Sequence, residues 1–301
     1  MEQQNIDLDR ALSFAIPERH ARGRLVRLGP TLTTVLAAHS YPPAIERLLA
    51  EALTLVALIG STLKDPQAQL TMQSRTDAGI VGLLVCDYRG GEVRGYVEFD
   101  ADRLAGAPVE PTLIDLFGPT YLAITFDLAT TGERYQGIVP LDGETLAEAA
   151  ESYFVQSEQI PTLVRVAVQK RPDGTTIAGG LFLQHLPEGE DGRERLHTRL
   201  DHPEWEHVAS LGQTVEPVEL ADAQLPLEAL LWRLFNEDEV RLLGRTPLSR
   251  GCRCDGDYIR SVLAKFPPDE RRAMAGDDGL IKVDCAFCAQ VFSVPAALVA
   301  A

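Results

Sequence analysis

The longest apolar segment of the chain has the period of a helix. Apolar side chains recur every three or four positions between residues 44 and 63, and Pro42 and Pro43 stand where such a helix would begin. Charged residues interrupt the first half and leave only 52–63 uncharged. Because a helix needs about 20 apolar residues to span a bilayer, we expect a buried helix of a soluble protein.

Alternation of apolar and polar residues predicts several strands joined by tight turns. Residues 92–100 alternate, and Gly90 and Gly91 connect them by a hairpin to the apolar run that ends at Cys86. Similar patterns bounded by turn residues mark four more candidate strands: 121–126, 134–141, 164–169 and 175–184. Because short turns join antiparallel neighbours, the sheet is expected to grow by hairpins.

A second helix is predicted between these strands. Thr145 and Glu148 have the spacing of a capping box, and apolar residues follow at helical intervals up to Phe154. Strands that cluster around two helices without a regular βαβ alternation indicate an α+β fold. We predict a large N-terminal α+β domain over residues 1–183, with an antiparallel sheet and packed helices.

The next part of the chain is strongly acidic. Residues 184–245 contain 14 acidic and 6 basic residues, and turn-forming residues occur at 187–192. Apolar residues between 227 and 235 have helical spacing, so at least one amphipathic helix is expected to pack there. We predict an acidic, partly helical connector over 184–246. Its charge provides a solvated surface or keeps a marginally stable segment ready to open.

The charge of the whole chain limits its partners. The 301 residues include 28 basic and 44 acidic ones, for a net charge of −16. A field of that sign repels phosphate backbones and anionic lipid, which argues against nucleic acid and membranes as partners. The first ten residues lack the apolar core of a signal peptide, so a cytoplasmic location is expected.

The five cysteines fall into two groups. Cys86 ends an apolar run, which predicts an inert thiol in the core. The other four form two close pairs: Cys252 with Cys254, and Cys285 with Cys288. Two such pairs suit a tetrahedral four-thiolate zinc site, because each short spacing presents two sulfurs to one ion. We predict a C-terminal module over 247–301 that binds one Zn²⁺, although four thiolates also suit iron.

Local patterns predict the elements of this module. Residues 280–284 and 290–294 indicate a hairpin whose turn carries Cys285 and Cys288. Residues 258–266 indicate a helix that ends at two prolines, Pro267 and Pro268.

The spacing of each pair also bears on redox chemistry. Residues i and i+2 of a strand lie about 6.6 Å apart, near the upper limit for a disulfide, so a bend would let Cys252 and Cys254 bridge. Cys285 and Cys288 can bridge as well, and sulfurs tied in disulfides cannot hold zinc as thiolates. Oxidation is therefore expected to eject the metal and to unfold a module with little core of its own.

The chain resembles the 33 kDa heat-shock protein family, the redox-regulated bacterial chaperones. The C-x-C and C-x-x-C pairs match the signature of that family, and further segments match it at 133–137, 153–154, 157–159, 178–180 and 231–234. The resemblance implies a zinc-bound, reduced, inactive monomer. On oxidation it would form Cys252–Cys254 and Cys285–Cys288 disulfides, release zinc, unfold in part and become a homodimer. That form would hold unfolding client proteins without ATP.

Two other functions are alternatives to the chaperone. A thiol-disulfide oxidoreductase would use Cys285 and Cys288, but a catalytic C-x-x-C opens a helix in a thioredoxin-like βαβ setting, which is not predicted here. A zinc module that binds nucleic acid would need a basic face, yet 251–288 holds six basic and seven acidic residues. Without a phosphate-binding loop or a G-x-S-x-G elbow, the chain is expected not to be an enzyme.

Overall fold

The computed structural model describes residues 8–141, 143–186 and 202–296. The chain forms two compact units. The first comprises Met1–Leu36 and Tyr41–Arg250, and the second comprises Ala37–Ser40 and Gly251–Ala301. Of the predicted connector, 187–201 lie outside the described residues.

The first unit is built from strands and helices in mixed order. Its strands are β1 (Arg10–Ile16), β2 (Ala21–Leu28), β3 (Gln69–Arg75), β4 (Val81–Arg89), β5 (Glu92–Phe99), β6 (Tyr121–Leu128), β7 (Glu133–Pro140), β8 (Thr162–Lys170), β9 (Thr176–His185), β10 (Arg241–Pro247) and β11 (Ser249–Arg250). Its helices are α1 (Pro30–Leu36), α2 (Pro43–Gly60), α3 (Ala101–Ala105), α4 (Leu113–Phe117), α5 (Leu146–Tyr153), α6 (Pro203–Gln213), α7 (Pro217–Leu220) and α8 (Leu227–Phe235).

The strands of this unit form two sheets. Sheet A has the order β10-β1-β2-β9-β8 and is antiparallel throughout. Sheet B has the order β11-β5-β4-β3-β6-β7, in which β11 alone pairs in parallel with its neighbour, β5. The predicted hairpins β4–β5, β6–β7 and β8–β9 are confirmed. Gly90 and Gly91, with φ of 56° and 92°, supply the left-handed backbone that the first of these turns requires.

Helix α2 is the predicted long helix, and it occupies the centre of the larger core. Pro43 lies in its first turn, where a missing backbone N–H costs little. The helix is buried along most of its length and contacts β2, β8 and β9 of sheet A as well as β3, β4 and β5 of sheet B. It therefore packs between the two sheets.

A second core lies on the other face of sheet A. In β2, Val26 belongs to the core around α2 while Leu25 belongs to the second core, as alternate strand residues must. Helices α6, α7 and α8 of the predicted connector cover this second face with apolar side chains. The amphipathic helix expected at 227–235 is confirmed as α8, whereas β10, which pairs with β1, was not predicted.

The second unit is small. It contains α9 (Gly256–Leu263), α10 (Pro268–Met274), β12 (Leu280–Asp284) and β13 (Val291–Pro295). The hairpin prediction is confirmed, but the predicted helix 258–266 was wrong at its ends, since α9 spans Gly256–Leu263. Pro268 lies in the first turn of α10. A proline ends one helix because it lacks a backbone N–H, but it is well suited to the first turn of the next, where that N–H has no partner within the helix.

The α+β class is confirmed by these antiparallel sheets and packed helices. The expected capping box at α5 is half formed: the Thr145 side chain accepts from the Glu148 backbone N–H, but the Glu148 carboxylate accepts from the backbone N–H of Glu144. None of the described helices is both long and apolar enough to cross a membrane.

Candidate metal centre

The first cysteine pair lies between β11 and α9 along the chain. Asp255 follows Cys254 directly and caps α9, since its Oδ1 accepts a hydrogen bond of 2.7 Å from the backbone N–H of Tyr258. A capped helix start fixes the direction of the backbone that leaves the pair. The sequence thus positions Cys254 through a local interaction.

The second pair lies in the turn of the β12–β13 hairpin, as predicted. The Cys285 backbone N–H donates to the Gln290 carbonyl at 3.0 Å and closes the hairpin. The backbone N–H groups of Cys288 and Ala289 both donate to the Cys285 carbonyl, at 3.1 and 2.7 Å. Ala289 adopts a left-handed conformation with φ of 56°. This tight turn brings both thiols to the same side of the hairpin end.

The structure brings the four predicted ligand residues together. Their Sγ atoms all lie within 4.8 Å of one another. Cys252 Sγ is 3.2 Å from Cys254 Sγ and 3.6 Å from Cys285 Sγ, and Cys254 Sγ is 3.4 Å from Cys288 Sγ. A tetrahedral zinc ion with bonds of about 2.3 Å to sulfur separates its ligands by about 3.8 Å. The four cysteines are free thiols positioned to bind a metal ion.

The thiols influence one another's acidity. Burial opposes ionisation of Cys252, yet hydrogen bonds from the Cys254 backbone N–H and from the neighbouring thiols outweigh it and bring the pKa to about 7. Burial, and then hydrogen bonds with the other thiols, raises the pKa of Cys254. Burial also raises the pKa of Cys285. The cluster therefore favours ionisation of Cys252 over that of Cys254 and Cys285, and a bound metal ion would displace the remaining protons.

Sequence reasoning missed one residue beside the centre. His39 belongs to the short segment Ala37–Ser40 of the second unit, and its Nε2 lies 2.7 Å from the carbonyl oxygen of Ala286 in the cysteine turn. The two residues are 247 positions apart. No periodicity or spacing in the chain relates them, so only the fold could show this contact.

Cys86 lies apart from the centre, in the core between α2 and β4. It is fully buried, and burial raises the pKa of its thiol well above the ordinary value. The prediction of a packed core thiol is confirmed. Among the described residues, the four C-terminal cysteines are the one cluster of this kind that could hold a metal ion.

Comparison with known proteins places the chain in a family. The family model described as Hsp33 protein matches residues 9–295. The 33 kDa chaperonin of Caulobacter vibrioides (strain NA1000 / CB15N) is 40% identical over 289 residues, which cover 94% of this chain and 93% of that protein. The 33 kDa chaperonin of Pseudomonas fluorescens (strain Pf0-1) is 33% identical, covering 98% of this chain and 93% of that protein.

A solved structure supports the fold independently. The 33 kDa chaperonin of Thermotoga maritima superposes with a TM-score of 0.78 at 20% identity, over 97% of this chain and 96% of that one. The match extends across both sheets and the C-terminal cysteine unit. The chain belongs to the Hsp33 protein family.

Proposed function

We propose that the protein is a redox-regulated, ATP-independent chaperone that binds unfolding proteins and prevents their aggregation under oxidative stress. The observation that carries the proposal is the cluster of four thiols within 4.8 Å in a small C-terminal unit. Family membership supports the chaperone part, since the relatives are named chaperonins.

In the reduced protein, one Zn²⁺ is held by the four cysteines of the C-terminal pairs. Zinc suits a closed thiolate site better than iron because it needs no redox partner. The buried apolar core of the described part of this unit consists of Ile259, Leu263, Ile281 and Val294. A structural zinc contributes roughly 10 to 16 kcal/mol to folding, far more than so small a core. Zinc therefore supplies most of the stability of the module at 247–301.

Oxidation would convert each cysteine pair into a disulfide. Two thiols lose two electrons and two protons, and hydrogen peroxide that accepts them is reduced to two molecules of water. We favour the Cys252–Cys254 and Cys285–Cys288 pairings, because sulfurs close in sequence stay close even after the module unfolds. Sulfurs joined in this way no longer serve as thiolate ligands, so zinc is released.

In this proposal the acidic connector at 184–246, which follows the domain at 1–183, also opens on oxidation. Its helices α6, α7 and α8 cover an apolar face of sheet A, and their departure would expose that face to unfolding client proteins. The proposal includes a monomer when reduced, a homodimer when oxidised, and a cytoplasmic location. It includes no enzymatic activity and no nucleic-acid or membrane partner.

The position of the C-x-x-C pair favours the chaperone over a thiol-disulfide oxidoreductase. Cys285 and Cys288 lie in a hairpin turn, whereas a catalytic pair gains its reactivity at the N-terminus of a helix. An insulin-reduction assay separates the two functions directly. We expect no acceleration of insulin reduction above the rate with free dithiol.

The central test compares reduced and peroxide-treated protein. We expect one zinc and five free thiols per chain before treatment, no zinc and one free thiol afterwards, and suppression of the aggregation of a thermally unfolding client only afterwards. The Cys86→Ala variant is the matched control and should switch in the same way. Oxidised protein that carries both disulfides but leaves client aggregation unchanged would refute the chaperone function.

A further inference from the structure

Arg27 is a buried cation at the boundary between sheet A and the connector. It lies on β2, the middle strand of sheet A, and is 1% exposed. Burial lowers the pKa of its guanidinium to about 10, with an opposing attraction from Asp222. Among the described residues, no carboxylate lies within ion-pair distance of it. A guanidinium removed from water in this way must find other hydrogen-bond acceptors.

Those acceptors are three backbone carbonyls of the connector. Arg27 Nε donates to the Leu220 carbonyl at 2.9 Å, and Nη2 donates to the Glu219 carbonyl at 2.9 Å. Nη1 donates to the carbonyl of Leu225. All three belong to the end of α7 and the loop that follows it. The planar fork of an arginine directs its donors at three separate carbonyls from fixed positions, a geometry that the compact ammonium of a lysine does not reproduce.

Helix α7 depends on such contacts, because it is a single turn. A helix of four residues is unstable alone, and its last carbonyls have no partner within the helix. At its other end, the Glu219 side chain accepts from the backbone N–H of Glu216 and from Arg233 of α8. At the C-terminal end of α7, the connector itself supplies only a long bond of 3.4 Å from the Asp222 backbone N–H to the Glu219 carbonyl, and Arg27 adds donors to the carbonyls of Glu219 and Leu220.

The Leu220 carbonyl also lies directly against sheet A. A Cβ atom built on Gly179 of β9 would lie 2.0 Å from the Leu220 carbonyl oxygen, so any side chain at this position would displace α7. Gly179 and Arg27 lie on neighbouring strands, β9 and β2, opposite one another in the register. Two features of sheet A, a cation and a gap, therefore converge on one backbone group of the connector.

We propose that Arg27 is the positioning residue that keeps the connector docked on sheet A in the reduced protein, by holding the carbonyls of residues 219–225. This inference rests on the proposed function, in which undocking of the connector activates the chaperone. These three hydrogen bonds are specific, but little free energy is needed to break them. When the connector leaves, water hydrates the guanidinium and the three carbonyls, and this hydration offsets much of the loss.

The test is amide hydrogen exchange on the full-length, reduced, zinc-bound protein. In Arg27→Met we expect exchange of the amides at 216–225 to accelerate at least about tenfold, with one zinc per chain retained. The same reduced variant should suppress client aggregation without peroxide. Arg27→Lys should restore part of the protection, since it keeps the charge but loses the fork.

Two further variants make the result specific. Arg24→Met is the matched control: Arg24 is on the same strand, burial also lowers its pKa to about 10, and it donates to the carbonyls of Ser61 and Gly23 rather than to the connector. It should leave exchange at 216–225 unchanged. Gly179→Ala should accelerate exchange in that segment by pushing the Leu220 carbonyl away. If Arg27→Met does not fold, exchange at 216–225 in Gly179→Ala is the measurement that tests the docking of the connector.

Two results would overturn the proposal. One is unchanged exchange at 216–225 in Arg27→Met, or in Gly179→Ala if the first variant does not fold. The other is equal acceleration throughout the first unit in Arg27→Met, with no recovery in Arg27→Lys, which would mean that Arg27 only stabilises the fold. Oxidised wild-type protein is assayed alongside. If it fails to hold clients, the proposed function fails, while the exchange data still judge the docking role.

Discussion

At the scale of single residues, the surroundings of each cysteine determine the acidity of its thiol. The four clustered thiols are half-buried and share hydrogen bonds, whereas the thiol of Cys86 is surrounded by apolar side chains. The same residue type therefore has two roles that depend on its neighbours. Burial raises the pKa of Cys86 and keeps it unreactive, while a neighbouring amide and thiols lower the pKa of Cys252.

Replacement of one clustered thiol tests the metal site. In Cys288→Ser we expect the zinc affinity of the reduced protein to fall by more than about 100-fold, because a serine hydroxyl does not ionise to replace a thiolate. Competition with a chromophoric chelator measures the affinity. Cys86→Ala is the control with unchanged affinity, and wild-type affinity in Cys288→Ser would show that Cys288 is not a ligand.

At the scale of elements, polar contacts at both ends of α8 join it to other parts of the first unit. Glu228 at the start of α8 pairs with Arg10 of β1 at 2.7 Å and with Arg245 of β10 at 2.8 Å. After α8, the nearly buried Asp238 accepts from Arg19 at 2.8 Å and contacts His207 of α6 at 3.0 Å. These contacts fix the two ends of α8 against different parts of the unit.

The Asp238 contacts predict a dependence of stability on pH. Burial opposes ionisation of Asp238, but hydrogen bonds from Arg19 and His207 outweigh it and hold the pKa below the ordinary value of 3.8. A carboxylate whose pKa is depressed on folding stabilises the folded state fully above its unfolded value. The contribution is lost as the pH falls through the lower, folded value.

In Asp238→Asn we accordingly expect the thermal midpoint at pH 7 to fall by a few degrees. The difference from wild type should begin to shrink below about pH 3.8, where the carboxyl of the unfolded chain takes up a proton, and should vanish once the pH is below the lower pKa of folded Asp238. Calorimetry at several pH values measures both effects. Glu239→Gln is the matched control. Glu239 follows Asp238 in the chain, and its carboxylate pairs with Arg241 on the exposed surface. Equal effects of the two variants would contradict a special role for Asp238.

At the scale of the whole molecule, the two units differ in what stabilises them. The first has two extensive apolar cores, one on each face of sheet A, whereas the described part of the second buries only a few apolar side chains. Stability from apolar burial grows with the buried area, so the second unit is the one that we expect to depend on a metal ion.

Removal of the metal should therefore act on one unit. When a strong chelator removes zinc from the reduced protein, we expect amide protection to be lost throughout 251–296, while sheet B of the first unit keeps its protection. Hydrogen exchange measures both regions in one experiment. Return of protection on adding zinc is the control for reversibility, and protection at 251–296 that survives chelation would contradict the dependence on metal.

Local features of the sequence predicted much of the fold and the candidate site. The periodicity of α2 and α8, the turns of the hairpins and the two cysteine pairs depend on residues within a few positions of one another. Strands β1, β2, β3, β10 and β11 were not predicted. In β2, for example, arginines stand at 22, 24 and 27, and the buried Arg27 breaks the alternation that would have marked a strand. Pairing across the sheet, rather than local preference, forms these strands.

The sequence by itself determined the α+β class, the helix at the centre of the core and the four thiols of the metal centre, because periodicity and short spacings act locally. Only the tertiary structure decided that His39 lies beside the cysteine turn and that Arg27 donates to carbonyls of the connector. Arg27 and the carbonyl of Leu220 are 193 positions apart. The fold determines which groups a buried polar side chain contacts, and the residues next to Arg27 in the sequence do not indicate its partners.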